Sequence, residues 1–390
     1  MNIATHYVHT ALAVSCLAIG GSCCLSSGGG SLSVPPQAAA VGYHTLTFGP
    51  AVALGTNWYP WEFYGSGSQP AGYATQNADG SLAISGLENN NSGASVSTAL
   101  VASSAQGWTG TAFGGGFYVE ATLSFTGQGN GPYNNGGPAF WALDIEHTSQ
   151  GSIYTNANAN ALPGPGIKSW PNFGRRYNAA TTYEPSQGVS YKGAYYINLK
   201  ASTGIAPVAN TITANWAPNS MYNDFFEVDF MEYDGSEYIY QNGIGNWYGP
   251  NTGPGAGSST SNPYEILRGG VGTVPVPVGT DFSQPHRYGC LWVPATPTTL
   301  GYLQFFFDGV QTASPTYYWK YNDPANPFPP VPVNGVGPPP NNSTAGTPGT
   351  AMSGMDTHHM ILILGTGTDQ PMTVQSVKVW QASAANNLVY

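Results

Sequence analysis

One segment constrains the fold of this chain most strongly, because apolar residues occupy every second position in it. It runs from Gly114 to Gly127 and reads GGGFYVEATLSFTG. A period of two places alternate side chains on one face of a β-strand, whereas a helix would spread them around its axis. The segment therefore predicts a strand with one buried face, formed by Phe117, Val119, Ala121, Leu123 and Phe125.

Further short apolar segments recur along the chain, separated by runs of Gly, Pro, Asn and Ser. They include residues 79–86, 137–147, 225–233, 286–294, 301–312, 358–367 and 372–381. No segment with the period of a helix lies between them, and strands without crossover helices pair antiparallel. We therefore expect an all-β protein, a sandwich or barrel of mostly antiparallel sheets.

Residues 41–390 are predicted to form a single domain despite their length. Two long stretches rich in Gly, Pro and Asn, at 148–220 and 313–356, interrupt the strand pattern. Neither carries enough periodic apolar residues for a core of its own. Both are therefore interpreted as irregular loop insertions on one sandwich.

The N-terminal segment is predicted to direct export. Residues 1–61 contain no Asp, Glu, Lys or Arg, and Thr10 to Leu25 is a short apolar stretch. A membrane-spanning helix needs about 20 apolar residues, so a signal within 1–27 fits better than a span. A Gly/Ser/Pro linker follows at 28–40. Cys23 leaves a lipoprotein anchor as the alternative, and both readings place the protein outside the cell or on its surface.

Charge and cysteine content exclude several classes of function. The chain has 9 Lys+Arg and 19 Asp+Glu, a net charge of −10, so no basic patch can bind nucleic acid. A polar but uncharged surface suits neutral partners such as sugars. Cys290 lies alone in an apolar strand pattern and is interpreted as a buried thiol. Neither a disulfide framework nor the cysteine spacing of a metal site is present.

The segment from Asp224 to Glu237 concentrates carboxylates in a chain of which only 7% is charged. In a strand, Glu227 and Asp229 share a face, but strict alternation would turn Glu232 into the core. One extra residue, a β-bulge at Phe230–Met231, would return Glu232 to the acidic face. We therefore predict a bulge here, with Glu227, Asp229 and Glu232 in one row.

Three neighbouring carboxylates repel one another, so the row suggests chemistry or a bound cation. Retaining glycoside hydrolysis needs two carboxyl groups about 5–5.5 Å apart. Glu227 and Glu232 can converge over Asp229, which would help to separate their pKa values. The alternatives are a solvated acidic strand and a calcium site, since calcium binds clusters of Asp and Glu.

The hexapeptide EVDFME, from Glu227 to Glu232, resembles the catalytic motif E-x-D-x-x-E of glycoside hydrolase family 16, the laminarinase and agarase group. Other segments are similar to that family in the same order along the chain. They are GGGFYVEATLSF, GPAFWALDIEH, DFSQPHRYGCLWVP with LQFFFDGVQT, and MILILGTG with MTVQSVKVWQ. The resemblance runs from Gly114 to Gln381.

This resemblance implies a curved two-sheet jelly roll whose concave face carries the active site. It also implies that Glu227 is the nucleophile, Asp229 the assisting carboxylate and Glu232 the general acid/base. No cofactor is required, although a structural calcium ion stays open. If a sugar hydroxyl replaces water, the same site is a transglycosylase.

Aromatic residues are the candidates for substrate binding, because a ring can stack on a pyranose. Trp141 in PAFW and Trp108 are predicted to reach the cleft, with Trp170 and Trp319 as further candidates. The family often has a His ten to fifteen residues after the motif, where this chain reads GIGNWYGP. We expect Asn246, Trp247 or Tyr248 to take its place.

The sequence thus predicts a monomeric, endo-acting retaining glycosidase that cuts a β-linked polysaccharide of the β-1,3-glucan or galactan type. Two alternatives remain open. One is a lectin-like jelly roll without catalysis, whose carboxylates bind calcium. The other is a surface adhesive protein, suggested by loops rich in Gly, Asn and Tyr.

Overall fold

The computed structural model describes the greater part of the chain, in separate ranges. The described residues are 33–60, 72–85, 94–101, 108–125, 137–144, 175–183, 188–191, 194–198, 200–208, 211, 213–218, 224–233, 239–248, 265–314, 316–321, 355–356, 358–366 and 371–389. At some strand positions only the backbone is described. The predicted signal at 1–27 lies outside these ranges, as do Trp170 and most of the stretch 313–356.

Two large antiparallel sheets dominate the described chain, which confirms the predicted all-β sandwich. The first has nine strands: β1 Thr45–Phe48, β3 Ala74–Gln76, β4 Leu82–Ile84, β8 Phe117–Phe125, β19 His286–Val293, β20 Gly301–Phe307, β21 Val310–Gln311, β22 Tyr317–Trp319 and β24 Met372–Gln381. The second has seven: β2 Tyr59–Pro60, β5 Ala94–Ser97, β9 Ala139–Asp144, β16 Asp224–Glu232, β17 Ile239–Tyr248, β18 Glu265–Pro275 and β23 Met360–Thr366. A smaller sheet contains β6 Ala99–Val101, β7 Trp108–Ala112 and β25 Leu388–Val389.

The core lies between the two large sheets, where alternate residues of their strands interlock. All five alternating residues of β8, from Phe117 to Phe125, belong to one buried cluster, as their spacing predicts. The Phe117 ring meets Phe230 of β16 edge-on, with ring centroids 6.4 Å apart. Cys290 is wholly buried in this core, and burial raises the pKa of its thiol well above the usual range, which confirms a buried thiol.

The packed chain begins before Val41, where the sequence places the end of a linker. Helix α1, Pro36–Ala39, starts on a proline, which suits the first helical position. Ala38 is wholly buried against the outer surface of the nine-stranded sheet, in a cluster with Tyr118 and Leu291. Residues 34–40 are therefore part of the sandwich, because their apolar side chains cover that sheet's outer face.

The first insertion contains strands that the sequence does not predict. They are β10 Arg175–Arg176, β11 Thr182–Tyr183, β12 Gly188–Tyr191, β13 Ala194–Asn198, β14 Ser202–Thr203 and β15 Trp216–Pro218. Tyr183, Val189, Tyr196 and Trp216 form a small buried cluster of their own. The interpretation as an irregular loop is thus wrong for this part, because a few large aromatic side chains replace the many periodic apolar residues of an ordinary core.

Within the described ranges, no helix has the length and apolarity needed to cross a bilayer.

Candidate active site

Strand β16 contains the bulge that its alternation predicts. Against β17, Asp229 pairs with Gly243 and Glu232 with Gln241, so three steps on β16 match two on its partner. Against β9 on the other side, Asp229 pairs with Trp141 but Met231 pairs with Phe140. One residue is therefore inserted between Asp229 and Met231, and the register shifts against both neighbours.

The bulge sorts the side chains of β16 onto two faces. Phe226, Val228, Phe230, Met231 and Tyr233 are buried in the core between the sheets. Glu227, Asp229 and Glu232 are partly exposed. Because the inserted residue lets two consecutive side chains, Phe230 and Met231, enter the core, Glu232 returns to the face of Glu227. We call the side of the seven-stranded sheet that bears these acids the carboxylate face.

The strand β17 leaves space for this row through its glycines. Gly245 lies opposite Glu227 and Gly243 lies opposite Asp229. A Cβ atom at Gly243 would lie 3.0 Å from Oδ2 of Asp229, which is closer than ordinary contact. The absence of a side chain at Gly243 therefore allows the Asp229 carboxylate its present position.

The three carboxyl groups are close enough to influence one another's protonation. Asp229 is only partly exposed, and the loss of water around its carboxyl raises its pKa well above the usual range; the negative charges of Glu227 and Glu232 raise this pKa further. A protonated Asp229 would lower the repulsion in the row and could donate a hydrogen bond within it. This arrangement can hold carboxyl groups in different protonation states at one pH.

A buried acid that no sequence pattern marks ties β16 to β9 next to Glu227. Asp144, at the end of β9, accepts a hydrogen bond of 2.9 Å through Oδ1 from the backbone N–H of Phe226. Its Oδ2 lies 3.7 Å from Nε2 of His358, and both side chains are fully buried. His358 lies two residues before β23, and its ring supports this acid.

Trp141 lies on the carboxylate face, directly opposite Asp229. Only 6% of its surface is exposed, so it forms part of the floor beside the row. For Trp108 in β7 and for Asn246, Trp247 and Tyr248 in β17 the backbone alone is described, and their roles stay predictions.

Trp319 does not face a cleft, contrary to the prediction. It is wholly buried in β22, and its Nε1 donates a 2.7 Å hydrogen bond to Oδ2 of Asp356. Trp292 Nε1 and the backbone N–H of Ala295 also donate to this carboxylate. Trp319 looks loop-like in sequence because its strand is only three residues long.

Among the side chains that the structure describes, no group of three or more His, Cys, Asp or Glu residues is arranged to hold a metal ion.

No protein-family model and no curated protein sequence matches the chain. Among solved structures, the endo-1,3-β-glucanase from Streptomyces sioyaensis is 16% identical, with 92% of this chain and 100% of that chain covered and a TM-score of 0.40. The κ-carrageenase from Pseudoalteromonas carrageenovora is 13% identical, with 83% and 88% covered and a TM-score of 0.34. The carbohydrate recognition domain of Emp46p is 7% identical, with 83% and 88% covered and a TM-score of 0.30. Likeness at this level does not distinguish an enzyme from a lectin.

Proposed function

We propose that this protein is an exported, endo-acting glycoside hydrolase that cleaves a β-linked polysaccharide with retention of configuration. The observation that carries the proposal is the register shift in β16, by which Glu232 joins Glu227 and Asp229 on one face. Without the inserted residue, Glu232 would point into the core and could not reach a sugar.

The spacing along the row suits two carboxyl groups that act from opposite ends. Four steps on β17 separate the partners of Glu227 and Glu232, roughly 13 Å at about 3.3 Å per residue. Their side chains must lean toward Asp229 to approach the separation of about 5–5.5 Å that retention requires. Both charges raise the pKa of Asp229, which is consistent with such a lean.

In the proposed reaction, Glu227 attacks the anomeric carbon while Glu232 protonates the leaving oxygen. The glycosidic bond breaks, and a covalent glycosyl–Glu227 ester forms. Glu232 then removes a proton from water, which attacks the anomeric carbon and releases Glu227. An incoming sugar hydroxyl would make the same step a transglycosylation.

Asp229 has a different role, because its carboxyl group favours the neutral form. A neutral Asp229 lets Glu227 stay ionised as the nucleophile with less repulsion from its neighbour. It can also donate a hydrogen bond to a carboxylate beside it. The three carboxyl groups thus divide into a nucleophile, Glu227, a neutral neighbour, Asp229, and a general acid/base, Glu232.

The substrate class is proposed as a neutral or weakly charged β-glucan or galactan. A polar surface with few basic residues does not favour strongly anionic polymers, and the predicted signal would place the enzyme where polysaccharides are found.

The proposal is tested by scoring the purified full chain for release of reducing ends from laminarin, mixed-linkage glucan, agar and carrageenan. Glu227→Gln should lower the rate by about 10³-fold or more, since the nucleophile is lost while the fold is kept. Asp79→Asn is the matched control, because Asp79 is an exposed acid in the turn between β3 and β4. A Glu227→Gln variant with a near-wild-type rate would contradict the assignment.

Product stereochemistry provides a second, independent test. Retention predicts that NMR of the first products shows the β-anomer before mutarotation. Release of the α-anomer would exclude the two-step mechanism. Glycan binding that a chelator abolishes, with no reducing ends released from any polymer, would favour the lectin-like alternative.

A further inference from the structure

The bulge in β16 is held by one buried amide from the neighbouring strand. Asn242 of β17 is 1% exposed, and its Nδ2 donates a hydrogen bond of 2.5 Å to the backbone carbonyl of Phe230. A carbonyl oxygen can only accept, so the nitrogen end of the Asn242 amide must face Phe230. The side chain therefore bonds the very residue at which the strand register shifts.

The oxygen end of the same amide bonds the opposite sheet. Oδ1 of Asn242 accepts hydrogen bonds from Ser314 Oγ at 2.8 Å and from Thr312 Oγ1 at 3.3 Å. Both residues follow β21 of the nine-stranded sheet, and Ser314 is buried. The amide thus bridges the two sheets through the core, and its position is determined from both sides.

A bulge needs such a partner because it interrupts the regular ladder of backbone hydrogen bonds. A buried carbonyl without a donor is destabilising, so the fold would favour a register in which Phe230 pairs normally. That register would remove the inserted residue, and a shift of one residue would turn Glu232 to the core. Asn242 supplies the missing donor and so favours the bulged register.

The residues on either side of Asn242 pair with two acids of the carboxylate row. Gln241 lies opposite Glu232 and Gly243 lies opposite Asp229, so Asn242 sits between the partners of two row members. Its buried side chain points to the core, between the two backbone positions that pair with Glu232 and Asp229. A movement of the Asn242 amide would therefore change the offset between Asp229 and Glu232.

We infer that Asn242 is a positioning residue that holds the β16 bulge and thereby aims Glu232 at the reacting bond. Its action on hydrolysis rests on the proposed function of Glu232. Its action on geometry does not, because the hydrogen bonds from Asn242 exist whatever the row does chemically.

The test compares Asn242→Leu with Ser314→Ala. Leucine has a similar size but cannot donate to Phe230, whereas Ser314→Ala removes a bond on the other end of the amide and leaves the Phe230 bond intact. We expect Asn242→Leu to lower kcat by about 10- to 100-fold with KM changed less than about 3-fold, since a small misplacement of a catalytic group has effects of this size. Ser314→Ala should lower Tm but keep kcat within about 2-fold of the wild type.

A second readout does not depend on activity. In the wild type, the charge of Glu232 contributes to the raised pKa of Asp229. Carbon-13 NMR titration of the Asp carboxyls should show this pKa decreasing in Asn242→Leu, as Glu232 moves away, and unchanged in Ser314→Ala. If Asn242→Leu does not fold, Asn242→Ala is the second variant, since it also lacks a donor for Phe230 and adds no charge.

The outcomes separate this inference from the proposed function. Equal losses of kcat in the Asn242 and Ser314 variants, in proportion to their losses of Tm, would overturn the positioning role. So would an Asp229 titration that stays unchanged in the Asn242 variants. A wild type without activity on any polymer, combined with a shifted Asp229 titration, would support the positioning role and reject the hydrolase.

Discussion

Gly243→Ala tests how closely the partner strand fits the carboxylate row. The new Cβ atom would lie 3.0 Å from Oδ2 of Asp229, whereas ordinary contacts lie at 3.4–4 Å. The Asp229 carboxylate must therefore give way by a few tenths of an ångström. A misplacement of about 1 Å at a reacting centre can cost about 10²-fold, so we expect kcat to decrease by roughly 10-fold.

Gly243→Ala should leave the stability of the fold unchanged or raise it slightly, although kcat decreases. Gly243 lies in the extended strand β17, where alanine is allowed, and glycine loses more freedom on folding than alanine does. Replacement of a glycine at a compatible position stabilises a protein by about 0.4–1 kcal/mol, which offsets the local crowding. We expect Tm within a few degrees of the wild type, measured by calorimetry, while kcat is measured by reducing-end release.

A double-mutant cycle with Asp229→Ala shows whether the loss of kcat in Gly243→Ala arises from contact with the Asp229 carboxylate. If the added methyl acts through the Asp229 carboxylate, Gly243→Ala should change little in an Asp229→Ala background, because the contacted group is absent. An unchanged kcat in the single variant would refute the steric reasoning. An equal loss in both backgrounds would show that the methyl acts elsewhere in β17.

Two further predictions concern stability. Burial raises the pKa of Asp356 to about 7 against the hydrogen bonds from Trp319, Ala295 and Trp292, so the folded state binds its proton more tightly than the unfolded chain. This contribution, of the order of 4 kcal/mol at about 1.4 kcal/mol per pKa unit, is present below the unfolded pKa of 3.8 and is lost as pH rises through 7. Tm should therefore fall more steeply between pH 4 and 8 in the wild type than in Asp356→Asn, and equal slopes would contradict this. Gly137→Ala should destabilise the fold by about 3 kcal/mol in chemical denaturation, because its Cβ would overlap the backbone carbonyl oxygen of Tyr233 and the strand would have to shift. A wild-type midpoint would contradict this close approach.

Much of the fold follows from alternation alone. The five apolar residues of β8 predict its buried face, and the apolar residues of β16 predict a bulge, because Glu232 is three residues from Asp229 and the strand period is two. Such patterns are local, and the tendency to bury apolar area acts on them wherever the strand lies. The fold class and the row of acids could therefore be predicted before any partner strand was known.

The partner strands could not be predicted in the same way. Residues 239–248 read IYQNGIGNWY, with two glycines and two asparagines that disfavour strand formation in isolation, yet they form β17 beside the row. The small aromatic cluster around Trp216 likewise could not be predicted from periodic apolar residues, because its few large side chains are not evenly spaced in sequence.

The sequence by itself thus determined an all-β sandwich and one strand with three acids on one face. Only the tertiary structure decided what surrounds those acids: the space at Gly243, the floor at Trp141 and the amide of Asn242 that bonds the bulge. The physical reason is the range of the interactions. Alternation depends only on residues that are neighbours in sequence. The space beside the Asp229 carboxylate and the donor for the Phe230 carbonyl depend on strands that folding brings together.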